Sequence, residues 1–234
     1  MISMLKHSVC MNNVVFLLCF LLLLISCSAS SKPKNSSSSE EITEHKINSK
    51  DSVGGGCDGC ELMYIGMPDK ITSVDTSAAW NEEGQRLIIK GKILQLNGEM
   101  PAVDVILYYW QTDASGYYSK GEGAHKQAER HGHIRGWVKS DDLGNYAIYT
   151  IKPAAYPNRD IPAHIHISVK EPSISDEYYI DEFVFDDDLL LTSKKRQNLE
   201  NRGGSGILKP VLNEGILVAE HDIVLGMNIP NYLD

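Results

Sequence analysis

Two histidines in Pro162-Ala163-His164-Ile165-His166-Ile167-Ser168-Val169 stand where side chains could do chemistry. In a strand, residues i and i+2 face the same way, so His164 and His166 would project together from a rigid support. Paired imidazoles of that kind suit a metal ion, although alternating histidines also occur on plain surfaces. A rival pair, His131 and His133, straddles Gly132 in the polar run GAHKQAERHGH and reads as a loop with solvated histidines. Two tyrosines flank these segments. Tyr118 follows a strand end at Tyr109-Trp110, and Tyr156 sits in Ala155-Tyr156-Pro157, on a loop just before the histidine strand.

The elements that must position these residues are short runs of period two, punctuated by Gly, Pro, Asn and Asp. Leu87–Leu96, Val103–Trp110, Gly144–Tyr149, His164–Val169, Glu182–Phe185 and Ile216–Leu225 carry strand composition. Asn97-Gly98 and Asp142-Leu143-Gly144-Asn145 have turn chemistry. Only Leu189–Asn201 has helical character. The expected fold is all-β, an antiparallel β-sandwich with long loops and one short helix. Gly203-Gly204-Ser205-Gly206 lacks the Lys-Ser/Thr of a phosphate loop and reads as a turn.

Taken together, these segments resemble the intradiol ring-cleavage dioxygenases, the family of protocatechuate 3,4-dioxygenase and catechol 1,2-dioxygenase. Trp110, Gly116 and Tyr118 match the family's W-x-x-x-x-x-G-x-Y. Ser140–Tyr146 matches its D-x-x-G-x-Y turn, Tyr156-Pro157 its tyrosine loop, and Pro162–Ile167 its P-A-H-I-H stretch. Glu182–Asp186 resembles its F-x-F-x-D strand. Coverage runs from about Leu87 to Leu225, and the exported N-terminus looks most like the secreted branch. The fold implied is the dioxygenase sandwich.

By that resemblance Tyr118, Tyr156, His164 and His166 hold a non-haem Fe(III). Phenolate is a hard anionic donor, and two of them favour the ferric state, while neutral imidazoles complete the set. Tyr117 competes with Tyr118, but strand alternation separates the two and the G-x-Y spacing selects Tyr118. The implied reaction is cleavage of a catechol-type ring by O₂, between the hydroxylated carbons, to a cis,cis-muconate-type dicarboxylate. Tyr156 would be the labile ligand that also takes a substrate proton. One departure stands out: the family's Arg just before P-A-H-I-H is Ile161 here, and the preceding loop is short. Arg159, in that loop, could supply the guanidinium, or could be a surface residue paired with Asp160.

The N-terminus points to export. An apolar run from Val14 to Ile25 is too short to span a bilayer and ends at Leu24-Ile25-Ser26-Cys27, which looks like a bacterial lipobox. Residues 1–26 are therefore expected to be a signal peptide, with Cys27 lipidated and the domain anchored to a membrane, the outer one favoured. An uncleaved anchor or a plain secretory signal is the alternative. Residues 27–56, rich in Ser, Lys, Glu and Asn, read as a tether, leaving 57–234 as the domain. Cys57 and Cys60 remain, an even pair in an oxidising compartment. A redox-active pair or half a zinc site would use the same spacing, and a structural disulfide is the favoured reading.

The 234-residue chain has 22 basic and 31 acidic side chains, net −9, which argues against a nucleic-acid partner. Apolar residues at 42% exclude wholesale disorder. Family members commonly self-associate, so a homo-oligomer is open. Two other classes compete: a non-catalytic transthyretin-like or carboxypeptidase-regulatory-like β-sandwich, and a zinc hydrolase on the H-x-H pair. The first does not account for the two tyrosines and two histidines together, and the second has no well-placed third His or carboxylate in the sequence.

Overall fold

A computed structural model describes residues 52–121 and 124–233. Residues 1–26, Cys27 and most of residues 27–56, read from sequence as signal peptide, lipidation site and tether, lie outside the described residues. Among those described, no helix is long and apolar enough to cross a membrane.

The strands in chain order are β1 (Val74–Thr76), β2 (Arg86–Leu94), β3 (Ile106–Gln111), β4 (Arg135–Lys139), β5 (Asn145–Ile151), β6 (His164–Lys170), β7 (Tyr178–Tyr179), β8 (Phe183–Phe185), β9 (Ile207–Leu208), β10 (Val211–Asn213), β11 (Ile216–Glu220) and β12 (Ile223–Val224). One sheet runs β1-β5-β2-β11-β10, with β12 also on β2; the other runs β4-β3-β6-β8-β9, with β7 on β6. Alternation drives their stacking. Leu87 and Ile89 of β2 and Ile148 of β5 meet Leu107 and Tyr109 of β3 and Ile165, Ile167 and Val169 of β6 in one core.

The second sheet is covered on its other face as well. There Tyr108 and Trp110 of β3 pack with Met63, Trp137 and Tyr179, which explains why β3 reads as a continuous apolar run rather than a clean alternation. Met63 belongs to a 3₁₀ turn, Cys60–Tyr64. A Cys57–Cys60 disulfide closes this segment, and the buried Cys60 Sγ lies 3.1 Å from Ser168 Oγ on β6.

The structure departs from the sequence reading in three places. The sandwich holds, but β1–β5, β2–β11, β2–β12 and β8–β9 pair in parallel. The strands in these pairs are far apart in the chain, and their long connections are free of the hairpin's antiparallel constraint. The helix is confined to α1 (Ser193–Gln197), which buries nothing. Asp188 Oδ1 takes the Leu190 N–H and Thr192 caps Lys195, so side chains start the turn late and no apolar face extends it. The strand expected over Ile216–Leu225 breaks at His221-Asp222, where Asp222 Oδ1 accepts the Lys92 N–H at 2.8 Å. Just ahead of Cys57, the Gly54 N–H donates to Pro230 O at 2.7 Å, and Val53 packs on the core.

Candidate metal centre

β6 lies between β3 and β8, so its outer face is fixed by hydrogen bonds on both sides. With Ile165 and Ile167 committed to the core, His164 and His166 must emerge on that outer face. Tyr118 reaches them from the loop after β3. Asp113 Oδ1 accepts the Ser115 and Tyr117 N–H groups, and Gly116 adopts φ 85°. A Cβ at Gly116 would fall 2.1 Å from Ala155 O, so glycine lets this loop press against the segment carrying Tyr156. Thr112 Oγ1 donates to Ala154 O at 2.7 Å, lacing the two loops together.

The four polar tips converge. The Tyr118 and Tyr156 hydroxyl oxygens are 2.6 Å apart, and Tyr118 Oη is 2.8 Å from His166 Nε2. Tyr156 Oη is 3.2 Å from His164 Nε2, and the two Nε2 atoms are 3.2 Å apart. Tyr117 is 57% exposed and points elsewhere.

The outer nitrogens define the tautomers. His164 Nδ1 lies 2.7 Å from Pro162 O and His166 Nδ1 lies 2.8 Å from Glu182 Oε1. A carbonyl and a carboxylate can only accept, so each Nδ1 carries the proton and each Nε2 presents a lone pair to the centre. Burial lowers the His164 pKa and favours its neutral form. Burial also raises Tyr118, helped by its bond to Tyr156, and raises Tyr156. Without a cation both phenols are therefore protonated; a bound trivalent ion would reverse that preference.

This donor set fits a metal ion. Bonds of about 2.0–2.1 Å to one centre place neighbouring donors roughly 2.8–3.4 Å apart, close to the separations observed. Two phenols and two oriented imidazoles match a hard, highly charged ion.

Glu182 was not singled out as a site residue from sequence. It stands beside His166 because β8 pairs with β6 in the register His164↔Val184. His164, His166 and Glu182 offer ligand atoms within 4.8 Å of one another. However, Glu182 meets the outer nitrogen of His166, so it orients that imidazole rather than joining the convergent set. Burial opposes its ionisation, but the hydrogen bond from His166 and the neighbouring imidazoles outweigh this and hold its carboxyl below the usual range.

His131 and His133 are not solvated. His131 is buried, with Nδ1 2.8 Å from Tyr108 Oη, and burial lowers its pKa to about 3. His133 bridges Ser119 O at 2.8 Å and Glu82 at 2.9 Å. The polarity of the surrounding run hid this, because the partners come from distant segments. Trp110 lies between two imidazoles, 4.1 Å from the His131 ring and 4.7 Å from that of His166.

A family model described as "Dioxygenase" matches residues 65–202, more than half of the chain and all of the site. The chain belongs to the intradiol dioxygenase family. It is 32% identical over 92 residues to the protocatechuate 3,4-dioxygenase beta chain of Burkholderia cepacia, covering 37% of this chain and 39% of that one. Against catechol 1,2-dioxygenase of Candida albicans it is 27% identical over 106 residues, covering 37% and 33%. The chain thus matches well under half the length of these curated relatives. The fold is similar to the dioxygenase domain of a carbohydrate-binding fusion from Streptomyces sp. SirexAA-E, with TM-score 0.50, 19% identity, and coverage of 68% and 91%. Hydroxyquinol 1,2-dioxygenase from Pseudomonas putida DLL-E4 is similar at TM-score 0.50 and 21% identity, covering 68% and 62%.

Within this intradiol domain, Arg159 is exposed, and its guanidinium carbon lies 5.8 Å from the centroid of the Tyr156 ring. Asp160 pairs instead with Lys195 at 3.0 Å, so the Arg159–Asp160 surface pair does not form. A cavity of about 420 Å³ adjoins the cluster, lined by His166, Glu182, Tyr179, Val184, Leu199 and Arg202 among others. A larger cleft of about 580 Å³, over β2 and β5, shares no residue with the cluster.

Proposed function

We propose that this domain cleaves a catechol-type ring by the intradiol route, using Fe(III) held by Tyr118, Tyr156, His164 and His166. The observation that carries this reading is the convergence of two phenol oxygens and two Nε2 lone pairs within 2.6–3.2 Å of their neighbours. Bound there, ferric iron would supply Lewis acidity and a route for electrons between a catecholate and O₂.

The chain's own residues have distinct tasks. The Pro162 carbonyl and the Glu182 carboxylate keep both imidazoles turned with Nε2 inward. Tyr156, on a loop rather than a strand, is the more displaceable phenol and takes a proton from the incoming catechol. Arg159, stacked over that ring, favours the tyrosinate and the charge that grows on the substrate. Tyr118 is held by its hydrogen-bonded loop and stays in place. Both oxygen atoms enter the dicarboxylate product, so no organic cofactor is needed.

We also propose that the domain is exported and carried on a lipid-modified Cys27 at the outer membrane, which the lipobox-like Leu24–Cys27 and its preceding apolar run support. Mass spectrometry of the Cys27 peptide from membranes tests this.

The test of the reaction is the visible spectrum of the iron-loaded protein, with catechol added anaerobically. Ferric tyrosinate gives an intense red-brown band that catecholate should shift and broaden. A protein that stays colourless after iron loading would sink the proposal and leave a non-catalytic sandwich.

A further inference from the structure

The cavity beside His166 has a charge pattern that bears on which catechol it takes. Its volume, about 420 Å³, suits a single substituted ring, and Tyr179, Val184 and Leu199 give it apolar walls. Three carboxylates line it, Asp181, Glu182 and Glu200, against one guanidinium, Arg202. Asp181 spends its oxygens on the Asn201 and Arg202 N–H groups. Glu182 gives Oε1 to His166.

Arg202 does not reverse the balance. Its Nη2 donates to Gly54 O at 2.7 Å, and its Nε faces Glu200 Oε2 at 4.0 Å. The Nε is buried and has no hydrogen bond of its own. A ligand carboxylate seeking this guanidinium would meet Glu200 first, and a second negative charge there is repelled.

We infer that this cavity receives the substrate ring and selects by charge, admitting catechols with neutral or cationic substituents and rejecting those with a ring carboxylate, with Glu200 as a specificity-determining residue. The inference rests on the reading of the centre as a catechol-cleaving site. It predicts that this protein avoids acids of the protocatechuate type.

The experiment compares 3,4-dihydroxybenzamide with 3,4-dihydroxybenzoate, which share a shape and differ in charge. Calorimetry is done on the full-length protein in detergent, loaded with Ga(III), which supports chelation without turnover. The amide should bind at least about tenfold tighter at low salt, with the gap narrowing as salt screens it. Glu200→Gln, at a solvent-facing side chain, should free Arg202 and shrink the gap to about threefold or less. Equal or tighter binding of the benzoate overturns the selectivity, as does a gap that Glu200→Gln leaves unchanged. Failure of both ligands to bind the loaded protein overturns the catechol reading and the selectivity with it.

Discussion

The rings of Trp110 and His131 stack 4.1 Å apart and within 5° of parallel, with the His131 ring buried beside Tyr108. Trp110 in turn backs His166, so the stack braces the candidate centre from behind. Burial there favours the neutral form of His131.

That preference has a pH signature. Burial lowers the folded-state pKa of His131 to about 3, against an ordinary value of 6.5. Between these values the unfolded chain binds more protons, so stability falls as pH drops through that window. The slope is at most about 1.4 kcal/mol per pH unit. His131→Phe keeps the stack and removes the titration. Urea unfolding of this variant from pH 6.5 down to pH 4, a window of roughly that size, should show a flatter loss than the parent.

His164→Ala and His166→Ala should each abolish stoichiometric iron binding, measured by metal analysis after gel filtration. Unfolding of the metal-free proteins should show that both variants remain folded. A variant retaining full iron would remove that residue from the ligand set.

Metal binding should release about two protons per trivalent ion near neutral pH, because burial keeps the Tyr118 and Tyr156 phenols protonated in the metal-free protein. Higher pH therefore favours binding, by up to about hundredfold per pH unit if both protons are lost. A pH-stat titration against a competing chelator measures the count. Release of none would mean that the phenols do not coordinate.

Arg159→Ala should lower kcat about tenfold while leaving iron content unchanged, since the guanidinium touches the Tyr156 ring but no donor atom. An unchanged rate would return Arg159 to the surface.

Gly91→Ala should cost about 3 kcal/mol or more, because the new Cβ would sit 1.8 Å from His221 O. That carbonyl also accepts the Tyr146 hydroxyl at 2.8 Å, so it cannot move freely. Urea unfolding of the metal-free domain reads the loss directly.

Much of the site was legible in the chain itself. Strand alternation is a local property, so the i, i+2 spacing put His164 and His166 on one face before any partner was known. The resemblance to the family's G-x-Y pattern, rather than strand alternation, pointed to Tyr118, which lies on a loop. A glycine is needed at 116 because the two tyrosine loops nearly touch. Strand composition and turn residues gave the sandwich for the same local reason.

Contacts between distant segments were decided only in three dimensions. Glu182 became the partner of His166 through the register of β8 on β6, which no local pattern encodes. His131 and His133 lie in a polar run, yet Tyr108, Ser119 and Glu82 bury and satisfy them from elsewhere. The same holds for Ile216–Leu225, which breaks where Asp222 caps Lys92, and for Leu189–Asn201, where side chains rather than an apolar face set the helix length. Local periodicity fixes which way a side chain points, whereas the packing of remote segments determines what it meets.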